Sequence, residues 1–224
     1  MEDVSWIDDL AHELRTPLTP MMLLVHLLEE HPDMPPSLIG HVRMLRENIE
    51  GESRLLDDLL DLCRCEQGRL RLDRAPLDLD AAMSDAIALA SSELERTPVI
   101  PRLEVAGARI DGDRPRLIRM IGGLIVAAGG RAPADTPVTV ATTEEGGQVA
   151  ITISDRSQTD AAALASALNV AGWSSNRVAR GFGTRLTSAV VALHGGSVSV
   201  ASTPGSGTQV TLLLPRHRGD AGQR

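Results

Sequence analysis

Apolar side chains at Ile7, Leu10, Leu14, Met21, Leu24 and Leu28 recur in alternating steps of three and four, with Pro17 at the vacant seam position. That spacing is a heptad stripe, and it commits the segment to a helix with one apolar seam. Ser5 is placed to cap the helix, with Asp8 three residues on in the manner of a capping box. His31-Pro32-Asp33-Met34-Pro35-Pro36 ends it, because proline lacks the amide donor. Ser37 is read as the cap of a second helix, with Leu38, Val42, Leu45, Ile49, Leu56, Leu59 and Cys63 as its stripe and Gly68 as its terminator. At about 26 to 31 residues each, the helices are roughly 40–46 Å long. One antiparallel hairpin cannot bury two such seams. A second copy would complete a four-helix bundle, so the chain is expected to form a homodimer.

The pattern changes at about residue 69. Leu70-Arg71-Leu72 and Leu77-Asp78-Leu79 alternate like short strands, and Leu79 to Leu94 and Arg116 to Ala128 read as helices. Val138–Thr142 and Val149–Ile153 alternate with period two around Glu144-Glu145-Gly146-Gly147, which predicts a hairpin. After a helix from Thr184 to Leu193, Ser197–Ala201 and Gln209–Leu214 form another. The expected fold class is α+β: a helical hairpin over 1–68, an α/β sandwich with a largely antiparallel sheet over 69–215, and a frayed polar tail over 216–224. Gly122-Gly123 and Gly129-Gly130 are read as close helix packing or a frayed end rather than a phosphate loop.

With one Phe, two Trp and no Tyr, the chain lacks stacking platforms for single-stranded nucleic acid. A formal charge of −8 also argues against a polyanionic partner. Met21 to Leu28 is the longest strongly apolar stretch, far below the ~20 residues of a membrane span, so no membrane partner is expected. The N-terminus has no secretory pattern, and Cys63 and Cys65 read as reduced thiols, which predicts a cytoplasmic protein. No Cys/His cluster has metal-ligand spacing, and no metal site is expected.

His12-Glu13-Leu14-Arg15-Thr16-Pro17 carries the chemistry. His12 lies off the stripe and should project from the bundle. Glu13 can hydrogen-bond one imidazole nitrogen and leave the other nucleophilic. Thr16, one turn on, places a hydroxyl on the same face. Pro17 frees the Glu13 carbonyl and allows bending. This segment resembles the phosphoacceptor motif of sensor histidine kinases. Leu55 to Leu62 with Gly68 is similar to the end of that family's second dimerisation helix. Gly112-Asp113-x-x-Arg116-Leu117, His194-Gly195-Gly196-Ser197-Val198 and Pro204-Gly205-Ser206-Gly207-Thr208 resemble landmarks of its ATP-binding domain.

The resemblance implies that His12 carries a phosphoryl group, that Glu13 is its base or orienting partner, and that Thr16 serves when the family hydrolyses its phosphorylated partner. It also exposes departures. Two Asn residues that help hold Mg²⁺ and phosphate in the family are Gly123 and Ala127 here. The Asp that meets the adenine amine survives as Asp155, but the two glycines after it are replaced in Asp155-Arg156-Ser157-Gln158-Thr159. The phosphate loop keeps Gly181 and Gly183, with Arg185 in place of the third glycine, and the preceding lid lacks the family's phenylalanines. Phosphoryl transfer from ATP depends on positioning and metal-assisted charge stabilisation. Asp155, Gly181 and Gly183 are therefore read as a vestigial cofactor site, with ATP binding weak or absent and no cofactor required in the chain itself.

The expected function is that of a dimeric histidine phosphotransferase of the phosphorelay type, exchanging a phosphoryl group between His12 and receiver-domain aspartates with little or no ATP-dependent autophosphorylation. Receiver domains of response regulators or hybrid kinases are the expected partners, and they supply the Mg²⁺. Arg15 and Thr19 are the candidate docking residues. Only eleven residues precede His12, from which no attached sensory domain is expected. The alternatives are an active kinase with an atypical pocket and a non-catalytic module that binds a response regulator.

Overall fold

The computed structural model describes residues 5–94, 97–168, 186–203 and 205–217. Gly181, Gly183 and the start of the helix expected from Thr184 lie outside them. The chain forms two compact units, Met1–Gly68 and Arg69–Arg224. No described helix is long and apolar enough to cross a membrane.

The first unit is a hairpin of α1 (Ser5–Arg15), α2 (Leu18–Glu29) and α3 (Pro36–Glu66). The expected first helix is thus interrupted. Pro17 keeps helical torsions, φ −72° and ψ −27°, so the backbone path continues while the hydrogen-bond ladder does not. Ser37 is not the cap of α3: extended Pro35 takes that place with Pro36 as the first helical residue, where the missing amide costs nothing. Gly68 closes the helix at φ +64°, as expected.

The apolar stripe is real, but it does not seal the hairpin. α2 packs on α3 through Val25 against Val42 and Ile49, with Leu18, Met22 and Met34 around them. α1 packs through a separate small cluster, Ala11 on Leu60 with Leu56 and Cys63. Stripe residues Leu10, Leu14, Met21, Leu24 and Leu28 remain between 37% and 60% exposed, as do Leu38, Leu45 and Leu55 of α3 at 45–47%.

The second unit contains β1 (Ala75–Asp78), α4 (Leu79–Glu93), β2 (Val99–Leu103), β3 (Arg109–Gly112), α5 (Arg114–Arg131), β4 (Val138–Glu145), β5 (Gln148–Asp155), α6 (Ala161–Leu168), α7 (Thr187–Leu193), β6 (Ser197–Thr203) and β7 (Gly207–Pro215). β1 and β3 make a small antiparallel sheet, and the main sheet has the order β2-β4-β5-β7-β6. Both expected hairpins form. Gly146 and Gly147, at φ +58° and +78°, make the tight turn between β4 and β5. The sheet is mixed rather than wholly antiparallel, because β2 runs parallel to β4. Pro101 hides this strand in the sequence, yet proline is tolerated on a sheet edge. Leu70–Leu72 forms no strand, although Leu70 is buried. Arg216 and His217 are not frayed: Arg216 bridges to Ile110, and the His217 amide donates to the Arg109 carbonyl at 2.7 Å.

One face of the sheet, with Val138, Val140, Ile151, Ile153, Val210 and Leu212, is buried. α5 lies against β4 and β5, and α7 against β6 and β7. Asp78 and Asp113 cap α4 and α5 by accepting from the amides of Ala81 and Arg116. Gly129 lets the two helices close, since a Cβ there would stand 2.6 Å from a Leu94 methyl. Thr142 is fully buried, and its hydroxyl has no hydrogen-bond partner among the described residues. Thr142→Val removes that unsatisfied group and keeps the shape, so it should stabilise the fold by about 1 kcal/mol. The denaturant midpoint checks it.

Candidate functional site

His12 is exposed, and Ala11 beside it is buried. Neither the imidazole of His12 nor the carboxylate of Glu13 has a hydrogen-bond partner among the described residues. The expected Glu13–His12 bond is absent because consecutive helical side chains diverge by about 100°. Thr16 turns inward to the backbone: its amide and its hydroxyl both donate to the His12 carbonyl, at 3.0 and 2.6 Å. Pro17 and Pro20 can offer no amide to the carbonyls of Glu13 and Thr16. The acceptor helix therefore ends one turn after its histidine.

Arg15 reaches across the hairpin. Its Nη2 and Nε donate to Asp57 Oδ1 at 2.6 and 3.2 Å. The Thr19 hydroxyl donates to the Arg15 carbonyl at 3.4 Å. Arg15 and Thr19 line a groove of about 480 Å³ with Leu18, Met22 and Arg46. Arg46 is held there by Glu29, to which its Nε donates at 2.8 Å.

Of the residues the resemblance assigns to a nucleotide, the described ones are Gly123, Ala127 and Asp155, all in the second unit. Gly123 opens onto empty space, with nothing within 4 Å of a notional Cβ, and Ala127 is buried. Neither carries a metal-ligating atom. Asp155, buried at the end of β5, accepts at both oxygens: Oδ1 from the Ser157 amide at 2.8 Å and Oδ2 from Arg131 Nη2 at 2.9 Å. Only 1% of the Asp155 side chain and 12% of that of Arg131 are exposed. Thr208 closes the same corner, donating to the Ser157 carbonyl and accepting from the Ser157 hydroxyl, both at 3.1 Å. Gly207, at φ +101°, fits because a Cβ would lie 2.0 Å from the Asp155 carbonyl oxygen. Among the described residues, Gly123 and Ala127 offer no magnesium ligand, and the carboxylate that the resemblance assigns to the adenine amine is paired with a guanidinium. Sequence reasoning missed Arg131, although it stands one helical turn beyond Ala127.

Two other landmarks meet in a buried node. The Asp113 amide donates to His194 Nε2 at 3.0 Å, while His194 Nδ1 lies 2.7 Å from the Val190 carbonyl. This assigns the proton to Nδ1. The Asp113 carboxylate accepts the Asp73 amide at 3.0 Å and pairs with Arg116. Burial pushes the His194 imidazole below its ordinary value of 6.5, against the pull of the Val190 carbonyl and Asp113. For Asp113 burial pulls upward, but the Asp73 amide and Arg116 together hold it below 3.8. In both cases the unfolded chain takes the proton more readily. Stability is therefore present at neutral pH and falls with acidification, first as His194 titrates below 6.5 and then as Asp113 titrates below 3.8. The melting temperature should drop between about pH 7 and 5, and His194→Gln, which does not titrate, should flatten that slope.

Residues 4–68 match the family described as His Kinase A (phospho-acceptor) domain. Residues 112–218 match the histidine kinase-, DNA gyrase B-, and HSP90-like ATPase family. Among curated relatives, the sensor-like histidine kinase SenX3 of Mycolicibacterium smegmatis is 27% identical over 95% of this chain and 57% of its own length. The sensor protein DivL of Caulobacter vibrioides is 27% identical over 94% of the chain and 28% of its own length. The probable sensor histidine kinase TcrY of Mycobacterium tuberculosis is 29% identical over 94% and 45%. The chain thus spans roughly a quarter to three-fifths of these proteins. Among solved structures, full-length ShkA in complex with AMPPNP superposes with a TM-score of 0.69 at 21% identity, covering 95% of this chain and 46% of that one. The Acinetobacter baumannii histidine kinase AdeS gives 0.58 at 19% identity, covering 92% and 98%. At these identities the two structures establish the fold alone.

Proposed function

Because this chain belongs to the histidine kinase family of two-component signalling, we propose that it is a dimeric histidine phosphotransferase that exchanges a phosphoryl group between His12 and a receiver-domain aspartate, with little or no use of ATP. The ion pair between Arg131 and Asp155 carries this reading. An adenine amine would have to share this buried carboxylate with a guanidinium and displace the packing that covers it. Gly123 and Ala127 add no compensating ligand. A magnesium ion needed for transfer comes with the receiver partner, whose acidic pocket holds it.

In the forward step an unprotonated His12 nitrogen attacks the aspartyl phosphate. The N–P bond forms, the acyl O–P bond breaks and the receiver carboxylate leaves. The reverse step returns the phosphoryl group to a receiver. The exposed imidazole supplies the nucleophile, and the groove beside Thr19 offers the docking surface. The exposed leucine stripe supports a homodimer. The free thiols of Cys63 and Cys65 suit a cytoplasmic site of action.

The test follows label onto wild type and His12→Ala, from ATP with Mg²⁺ and separately from receiver domains charged with labelled acetyl phosphate. Labelling from the receiver alone, lost in His12→Ala, is expected. Efficient labelling from ATP would favour an active kinase with an unusual pocket, the reading to which the sensor-kinase relatives lend weight.

A further inference from the structure

The acceptor helix is a short body of its own. α1 stops at Arg15, α2 starts at Leu18, and the two rest on α3 through separate clusters. Pro17 and Pro20 interrupt the ladder that would otherwise tie the rotation of α1 to that of α2. Among the described residues two contacts one turn apart hold α1 against rotation about its axis: Ala11 on Leu60, and Arg15 on Asp57. His12 lies about 100° around the helix from Ala11 and about 60° from Arg15. The alanine methyl gives little leverage against rotation. The guanidinium, with two nitrogens on one carboxylate oxygen, gives a directed one.

We infer that Arg15 and Asp57 act together as positioning residues, a strut across the hairpin that aims the His12 imidazole at an incoming phosphoryl group. The inference rests on the phosphotransfer reading. It reassigns Arg15, which the sequence suggests as a docking contact, to a role inside its own protomer. Exposed ion pairs contribute little to global stability, so the effect belongs in the rate. In-line attack requires the nitrogen within about 3–3.5 Å of phosphorus on a fixed line, and small misplacements are costly.

A double-mutant cycle tests this in the 224-residue chain, with single-turnover transfer from receiver domains charged with acetyl phosphate. Arg15→Gln and Asp57→Asn should each lower the maximal transfer rate about tenfold and leave the half-saturating receiver concentration unchanged. The double variant should be no slower than either single one, because the pair acts as a unit. Arg15→Lys should recover part of the rate. A wild-type rate in Asp57→Asn, or a raised half-saturating concentration in Arg15→Gln alone, would make Arg15 a docking contact and overturn the inference. Carbon-13 relaxation of the His12 ring separates this outcome from failure of the phosphotransfer reading. If no receiver labels the wild type, that reading falls. The strut then stands if ring order drops in both single variants, and falls if it does not.

Discussion

His12→Ala should lose all measurable phosphoryl acceptance from a charged receiver, at least a thousandfold below wild type, with an unchanged helical signal. The expectation is sharp because three other imidazoles stand exposed on the same hairpin. His26 lies 3.5 Å from the Glu30 carboxylate, which would repel a phosphoryl dianion. His31 spends Nδ1 on the Asp33 amide, and His41 Nδ1 lies 3.1 Å from the Ser37 carbonyl. The His12 ring alone among these four has no such engagement with a described residue. His41, whose Nδ1 proton goes to the Ser37 carbonyl, keeps Nε2 unprotonated and is the internal control for the assignment. Residual label on His12→Ala, mapped to His26, His31 or His41, would refute the assignment.

Leu24→Glu combined with Leu45→Glu should turn the proposed homodimer into a monomer and raise its dissociation constant by a thousandfold or more. Burying a leucine is worth about 1.5–3 kcal/mol, and each dimer would lose four such burials and gain four carboxylates needing desolvation. Both leucines are exposed in the isolated hairpin, at 60% and 46%, so neither substitution disturbs the Val25–Val42–Ile49 cluster. Sedimentation equilibrium reads the mass and circular dichroism the retained helix. A dimer that survives both substitutions places the interface elsewhere.

Much of this architecture is legible in the sequence where one local rule dominates. Gly146 and Gly147 must turn the β4–β5 hairpin, and Gly68 must end α3, because few other residues tolerate positive φ. The heptad stripe is legible as periodicity, but periodicity does not say which neighbour the stripe meets. In the folded hairpin Ala11 and Val25 face α3 and the leucines face away. Ser37 misleads because a proline in the first helical position starts a helix as well as a capping hydroxyl does. The exposure of His12 is readable from its place off the stripe, whereas the Glu13 hydrogen bond expected of it does not form and Arg15 turns to Asp57. The Arg131–Asp155 pair is not legible, since its partners come from different elements and no spacing rule joins them.

The parallel pairing of β2 with β4 sets the order in which the sheet can assemble. The hairpins β4–β5 and β6–β7 close over short turns, whereas β2 must wait until all of α5 has been made and laid across the sheet. Its loop closure is the more demanding of these, and its side chains are mostly exposed. Strand β2, an edge strand with mostly exposed side chains, is thus expected to exchange its amide protons early, ahead of the central strands β4, β5 and β7.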